Sequence, residues 1–131
     1  MIKEVVLIML IALSNPVSTV EYTDLGDCRI TEYCPTCNDG SGYESSSGIE
    51  LKSGHCACSW LPEGTEISVE GEPLTVVDKC GTEAIDVFVD TDECECNLNE
   101  YRKVTKIEKV KKTIGDMVAN RVRKMAQHGM D

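Results

Sequence analysis

The chain has 131 residues, of which 41% are hydrophobic and 5% aromatic, with a single Trp and a single Phe. This length fits one domain with small appendages, and a core built from Val, Ile and Leu would benefit from cross-links. Residues 21–100 contain 19 acidic and three basic residues (net −16), whereas residues 101–131 contain nine basic and three acidic residues (net +6). The acidic part repels phosphate backbones, which argues against a nucleic-acid partner.

The N-terminal segment looks like a secretory signal peptide. It has a short polar start with Lys3, an apolar run from Val5 to Leu13, and small residues afterwards. The run is too short for a membrane-spanning helix, which needs about 20 apolar residues. We therefore predict a signal peptide over residues 1–20, with an uncleaved anchor as the alternative, and a secreted (extracellular) or cell-envelope location.

Short β-like segments follow between Cys28 and about Val89, separated by turn residues. They are RITEY at 29–33, TEISVE at 65–70, PLTVV at 73–77 and AIDVFV at 84–89, and residues 38–48 have loop composition. A turn that contains Gly71 joins the second and third segments into a candidate hairpin. The spacing predicts an all-β sandwich or barrel.

The character of the sequence changes again beyond Glu100. We predict a last strand to about Ile107 and an amphipathic helix over about 113–127, because apolar residues recur there at three- and four-residue steps. Thr113 and Asp116 resemble a capping box at its start. The basic tail, residues 108–131, favours either contact with anionic wall polymer or membrane, or docking on the acidic part of the chain.

Asp86 is a carboxylate in the middle of an apolar strand. In a strand it shares a face with Phe88, whereas Ile85 and Val87 point the other way. Apolar neighbours raise the pKa of a carboxyl group, which is the property that a general acid needs near neutral pH. Asp78, at the end of the preceding strand, is then expected to share a proton network with Asp86 or to orient a substrate. The alternative is that Asp86 is a buried hydrogen-bonding residue that fixes loop ends.

The eight cysteines allow three interpretations. An even number of cysteines in a secreted chain indicates a disulfide framework, whose pairing the sequence does not give. A reduced chain would instead offer a zinc site, with Cys34, Cys37, Cys56 and Cys58 as candidate ligands, and a redox role for the CPTC segment is the third possibility. Apart from that zinc, no cofactor is expected. The residues of the disulfide framework would be Cys28, Cys34, Cys37, Cys56, Cys58, Cys80, Cys94 and Cys96.

An ordered set of motifs over residues 29–107 resembles the 3D (three-aspartate) domain, which occurs in MltA-type lytic transglycosylases and related bacterial and phage cell-wall proteins. The segments are ITEYCPTC, SSSGIEL, GHCACSWLPEGTEISVEGEPLTVVDKCGTEAIDVFV and YRKVTKI. The residues that match the family pattern are Thr31 and Tyr33 in the first strand, Ser47 and Gly48 in the loop, Gly54 and Ala57 in the next strand, Pro62, Gly64 and Thr65 before the hairpin, and Asp78 and Asp86 as the second and third aspartates. Ser59 stands near the position of the first aspartate.

The resemblance implies a small six-stranded double-psi β-barrel over residues 28–107, which we expect to be disulfide-stapled and followed by the C-terminal helix. It also implies peptidoglycan as the partner. In lytic transglycosylases one aspartic acid cleaves the MurNAc–GlcNAc β-1,4 bond as general acid and base, which predicts catalytic roles for Asp86 and Asp78. Tyr33, Trp60 and Thr65 are the candidate substrate contacts, although Trp60 is equally explained by core packing.

Two other functions remain open from the sequence. Ser59, in place of an aspartate, favours a non-catalytic polysaccharide-binding or expansin-like wall-loosening module with the same fold. The cysteine content favours a zinc-binding structural protein.

Overall fold

The computed structural model describes Val6, residues 13–93 and residues 95–129, and divides the chain into two compact units. The barrel unit is Tyr22–Glu108; the terminal unit comprises the described residues up to Glu21 and those from Lys109 onward. Most of the apolar run of the predicted signal peptide lies outside the described residues, so the signal peptide stays a prediction. The first strand begins at Pro16 and ends at Tyr33.

Six strands close into a barrel, which confirms the predicted β-barrel architecture. The order around the barrel is β1-β5-β2-β4-β3-β6. The pairs β1/β5 and β2/β4 are parallel, whereas β2/β5, β3/β4 and β3/β6 are antiparallel. The strands are β1 (Pro16–Tyr33), β2 (His55–Ala57), β3 (Glu66–Val69), β4 (Glu72–Asp78), β5 (Ile85–Phe88) and β6 (Asn99–Thr113).

The predicted hairpin is the β3/β4 pair, and its turn is explained by two adjacent residues with positive φ. Val69 pairs with Glu72, which leaves Glu70 (φ 48°) and Gly71 (φ 91°) as the two turn residues. Positive φ at both positions is the type I′ geometry, whose twist matches that of the flanking strands. Gly71 takes up this conformation at no steric cost.

Apolar side chains from all six strands form the interior of the barrel. A second cluster, which includes Tyr33, Leu51 and Phe88, lies apart from the interior one. Ile85 belongs to the interior cluster and Phe88 to the second, which confirms the two faces predicted for β5. The strand residues buried in the interior are Ile30, Cys56, Ile67, Val69, Leu74, Val76, Ile85 and Val104.

The loop between β1 and β2 covers the second cluster. Leu51 is buried there, and the ring of Tyr43 lies edge-on to Phe88 with the ring centroids 6.0 Å apart. The Leu51 N–H donates to the Tyr43 carbonyl at 2.7 Å, which closes the loop on itself. This segment is loop, as its composition predicts, but packing and hydrogen bonds fix its course.

The terminal unit contains the predicted C-terminal helix, α1 (Ile114–Gly129). The capping box is confirmed, since the Asp116 N–H donates to Thr113 Oγ1 at 3.0 Å and the Thr113 N–H donates to Asp116 Oδ2 at 3.3 Å. None of the described side chains of α1 is buried. Over the part of the chain that the structure describes, no helix combines the length and the apolar character needed to cross a membrane.

Candidate functional site

Four residues from four neighbouring strands form one row across the barrel wall. Thr31 on β1 pairs with Asp86 on β5, Asp86 pairs with Ala57 on β2, and Ala57 pairs with Asp78 on β4. Because the side chain of Ala57 is a single methyl group, it leaves space between the two carboxylates. A cavity of about 180 Å³ opens at this place. Its lining residues include Tyr33, Ala57, Asp78 and Asp86 from the strands, and Cys37, Asn38 and Lys79 from the adjoining loops.

Asp86 is the half-buried carboxylate of this cavity. Its Oδ1 accepts a hydrogen bond from Thr31 Oγ1 at 2.9 Å. Burial raises the pKa of the Asp86 carboxyl above its usual range; the Thr31 hydrogen bond opposes the rise and the nearby Asp78 charge adds to it. A larger fraction of Asp86 is therefore protonated near neutral pH than for an ordinary aspartate, as its apolar neighbours in the sequence predict.

Asp78 is buried, with 4% of its surface exposed, and its carboxylate accepts three hydrogen bonds. The Ser46 and Lys79 N–H groups donate to Oδ1 at 2.8 and 2.9 Å, and Tyr33 Oη donates to Oδ2 at 3.1 Å. Burial and the Asp78 charge raise the pKa of the Tyr33 phenol, which keeps the phenol protonated as a donor. Asp78 thus connects the end of β1, the β1–β2 loop and the end of β4, which is a positioning role.

The structure brings Tyr33 together with Asp78 and Asp86, but it places Trp60 and Thr65 elsewhere. Trp60 is 44% exposed and lines a separate cavity of about 580 Å³ with Arg29 and other residues. Its Nε1–H donates to the Glu83 carbonyl at 2.8 Å. The Thr65 hydroxyl donates to the Pro62 carbonyl at 2.6 Å and so serves the turn before β3.

Ser59, at the expected position of the first aspartate, lines the Trp60 cavity. Its hydroxyl donates to the Thr82 carbonyl at 2.9 Å, so it fixes the β4–β5 loop. It is not part of the row that carries Asp86 and Asp78. The strand row therefore carries two acids, Asp78 and Asp86, and a further acid that lines the cavity, Asp39, comes from the β1–β2 loop.

Among the cysteines that the structure describes, Cys37 and Cys96 form a disulfide, which confirms a cross-link but not a framework of all eight cysteines, and the sequence predicted no pairing. Cys28 and Cys80 are half-buried thiols, and Cys94 lies outside the described residues. Cys34 and Cys37 do lie together, as the zinc interpretation expects, but the third sulfur beside them belongs to Cys96.

Cys56 and Cys58, the other two candidate ligands, are buried thiols in the barrel interior. Burial raises the pKa of the Cys56 thiol to about 12. A thiol of this kind is almost entirely protonated at neutral pH, and the thiolate is the form that binds metal or attacks a disulfide. Cys56 therefore behaves as a small apolar core residue.

Sequence reasoning missed the hydrogen-bonding roles of Thr31 and Ser46, and it did not predict which cysteines Cys96 meets. The position of Thr31 could have been predicted, because it lies two residues before Tyr33 and therefore shares its face of β1. Ser46 donates through its main chain, which no side-chain pattern reveals. Cys96 joins Cys34 and Cys37 only through the tertiary fold.

A scan against protein-family models and searches of curated proteins and of solved structures found no match to this chain.

Proposed function

We propose that this protein is a peptidoglycan-cleaving cell-wall enzyme of the lytic transglycosylase type, with Asp86 as its general acid and base. The observation that carries the proposal is the position of Asp86, half-buried in a cavity and with its pKa raised by burial. The resemblance of residues 29–107 to the 3D domain supplies the substrate class. We also propose the double-psi topology that the resemblance implies. The closed barrel with two parallel strand pairs supports this topology.

The reaction needs one proton donor that later accepts a proton. Protonated Asp86 donates to the oxygen of the MurNAc–GlcNAc bond as the bond from C1 of MurNAc to that oxygen breaks. The resulting carboxylate then takes the proton of the MurNAc 6-hydroxyl as its oxygen attacks C1. The products are a 1,6-anhydro MurNAc end and a free GlcNAc 4-hydroxyl, and no water is consumed. Asp86 ends the cycle protonated, as it began.

The other residues of the row prepare Asp86 for this step. The Thr31 hydroxyl binds Oδ1 and orients the carboxyl, and Ala57 keeps the adjoining space open. Asp78 acts as a positioning residue, since its three hydrogen bonds hold the cavity walls together. Its charge also raises the pKa of Asp86.

A non-catalytic polysaccharide-binding module is the second candidate. The observation that favours it is that Ser59 stands at the expected position of an acid. Its hydroxyl donates a hydrogen bond to the Thr82 carbonyl. In that case the exposed Trp60 ring would supply a stacking surface for sugars.

Digestion of purified peptidoglycan sacculi separates the two functions. The purified protein should release 1,6-anhydro muropeptides that mass spectrometry identifies, and D86N should release none. D92N is the matched control, because Asp92 is an exposed acid that does not line the cavity; it should retain full product release. Product formation by D86N would show that Asp86 is not the acid. Retention of the protein on sacculi without any product would favour the binding module.

A further inference from the structure

Three sulfur atoms converge where β1 leads into the loop above the cavity. Cys34 Sγ lies 3.3 Å from Cys37 Sγ and 3.9 Å from Cys96 Sγ. All three sulfurs lie within 4.8 Å of one another. A tetrahedral zinc ion with Zn–S bonds of about 2.3 Å holds its sulfur ligands about 3.8 Å apart. The Cys34–Cys96 separation matches this spacing, the Cys34–Cys37 separation is shorter, and the Cys37 and Cys96 sulfurs are bonded to each other and would move apart on reduction.

The local chain geometry also suits a metal half-site. Pro35–Cys37 forms a single 3-10 turn, closed by a hydrogen bond of 3.1 Å from the Cys37 N–H to the Cys34 carbonyl. The turn directs the Cys34 N–H at Cys37 Sγ, 3.1 Å away, and places the Thr36 hydroxyl 3.0 Å from Cys34 Sγ. Hydrogen bonds to sulfur stabilise thiolates and fix their orientation, as outer partners do around metal ligands.

We propose that the reduced chain binds one Zn²⁺ ion through Cys34, Cys37 and Cys96. In the oxidised chain, the Cys37–Cys96 disulfide occupies two of these sulfurs. A dithiol reductant transfers two electrons to that bond, yields the Cys37 and Cys96 thiols and becomes a disulfide itself. Zn²⁺ then displaces the three thiol protons, which pass to the buffer, and binds the thiolates. The same three residues thus form a cross-link under oxidising conditions and a metal site under reducing ones.

Both states link the same parts of the chain. Cys34 and Cys37 immediately follow β1, and Cys96 lies three residues before β6. Cys37 and the two residues after it also line the Asp86 cavity. A bound ion would therefore hold the start of the β1–β2 loop in place without the disulfide. The proposal does not depend on the proposed enzymatic function.

Titration with Co²⁺ tests the site in the full-length chain. The protein, reduced with a phosphine, should develop thiolate-to-cobalt charge-transfer absorption that saturates at one Co²⁺ per chain and disappears when Zn²⁺ is added. The oxidised chain should bind Co²⁺ at least about tenfold more weakly, and so should C96S in the reduced state. C28S is the matched control, since Cys28 is a thiol outside the cluster, and it should bind like the wild type.

The wild-type titration decides the matter even if a variant fails to fold. Absence of charge-transfer absorption in the reduced wild type would overturn the proposal, as would equal affinity of C96S or of the oxidised chain. Because this assay contains no peptidoglycan, its failure leaves the outcome of the sacculus digestion unaffected.

Discussion

Replacing Asp78 by alanine should destabilise the barrel unit severely, because one buried carboxylate satisfies three donors. Two of them are main-chain N–H groups, of Ser46 and Lys79, and the third is the Tyr33 hydroxyl. A hydrogen bond to a charged group contributes about 1.5–3 kcal/mol, and donors left buried without an acceptor add to the cost. These contributions overlap, so we expect D78A to lower the free energy of unfolding by about 3–5 kcal/mol. That is a large share of the roughly 5–15 kcal/mol typical of folded proteins.

Two further variants divide this cost among the hydrogen bonds. D78N keeps an oxygen that accepts from both main-chain groups and loses mainly the charge, so it should cost about 1–2 kcal/mol. Y33F removes only the hydroxyl donor and should also cost about 1–2 kcal/mol. Because the Tyr33 bond is already lost in D78A, the double variant should cost less than the sum of the single ones by about 1 kcal/mol.

Urea denaturation followed by tryptophan fluorescence compares the wild type with all four variants, since the single Trp60 lies in the barrel unit. The slope of the free energy against urea should stay unchanged, so that the midpoints report stability. If D78A unfolds within about 0.5 kcal/mol of the wild type, Asp78 does not hold these segments together and the reasoning is wrong.

Three other predictions concern the pH response, the core and the helix cap. Since burial raises the folded-state pKa of Asp86, this group contributes stability at low pH that is lost as the pH rises through the folded pKa. D86N should remove that part of the pH dependence in urea titrations. T31V removes the hydrogen bond that favours the carboxylate, so NMR titration of the Asp86 carboxyl carbon should show a further rise of its pKa, and a fall would contradict the assignment. I67A empties a fully buried position and should cost about 2–5 kcal/mol by urea denaturation; a loss below about 1 kcal/mol would mean that the interior is not tightly packed. T113A should reduce the helical circular dichroism of α1 and cost the helix about 1 kcal/mol, and an unchanged spectrum would refute the role of the cap.

The sequence by itself determined the features that depend on neighbouring residues. Alternation of apolar residues predicts β3, β4 and β5, and the turn residue Gly71 predicts the hairpin that joins the first two. The capping pair Thr113 and Asp116 predicts the start of α1, because the hydrogen bonds of a cap span only three residues. Period-2 alternation likewise predicts that Asp86 and Ile85 face opposite sides of β5.

Strand lengths depended on the tertiary structure. β2 has only three residues, too few for periodicity to predict, and the family resemblance alone points to it. β6 continues to Thr113, beyond the predicted end near Ile107. Within the terminal unit the Thr19 hydroxyl on β1 donates to the Val110 carbonyl on β6, a contact between residues 91 positions apart that the local sequence does not indicate.

The composition of the site depends on the register of the paired strands and on contacts between segments that are distant in the sequence. Only the pairing of four strands places Ala57 between Asp86 and Asp78, and only the fold brings Cys96 to Cys34 and Cys37 across about sixty residues. The sequence predicted Asp86 as the general acid and Asp78 as a residue that shares its proton network or orients a substrate. The structure separates them, because Asp78 is enclosed by three donors whereas Asp86 accepts one side-chain hydrogen bond and faces a cavity. Burial and hydrogen bonding are properties of the folded chain. The sequence around each acid does not indicate which distant residues will donate hydrogen bonds to it.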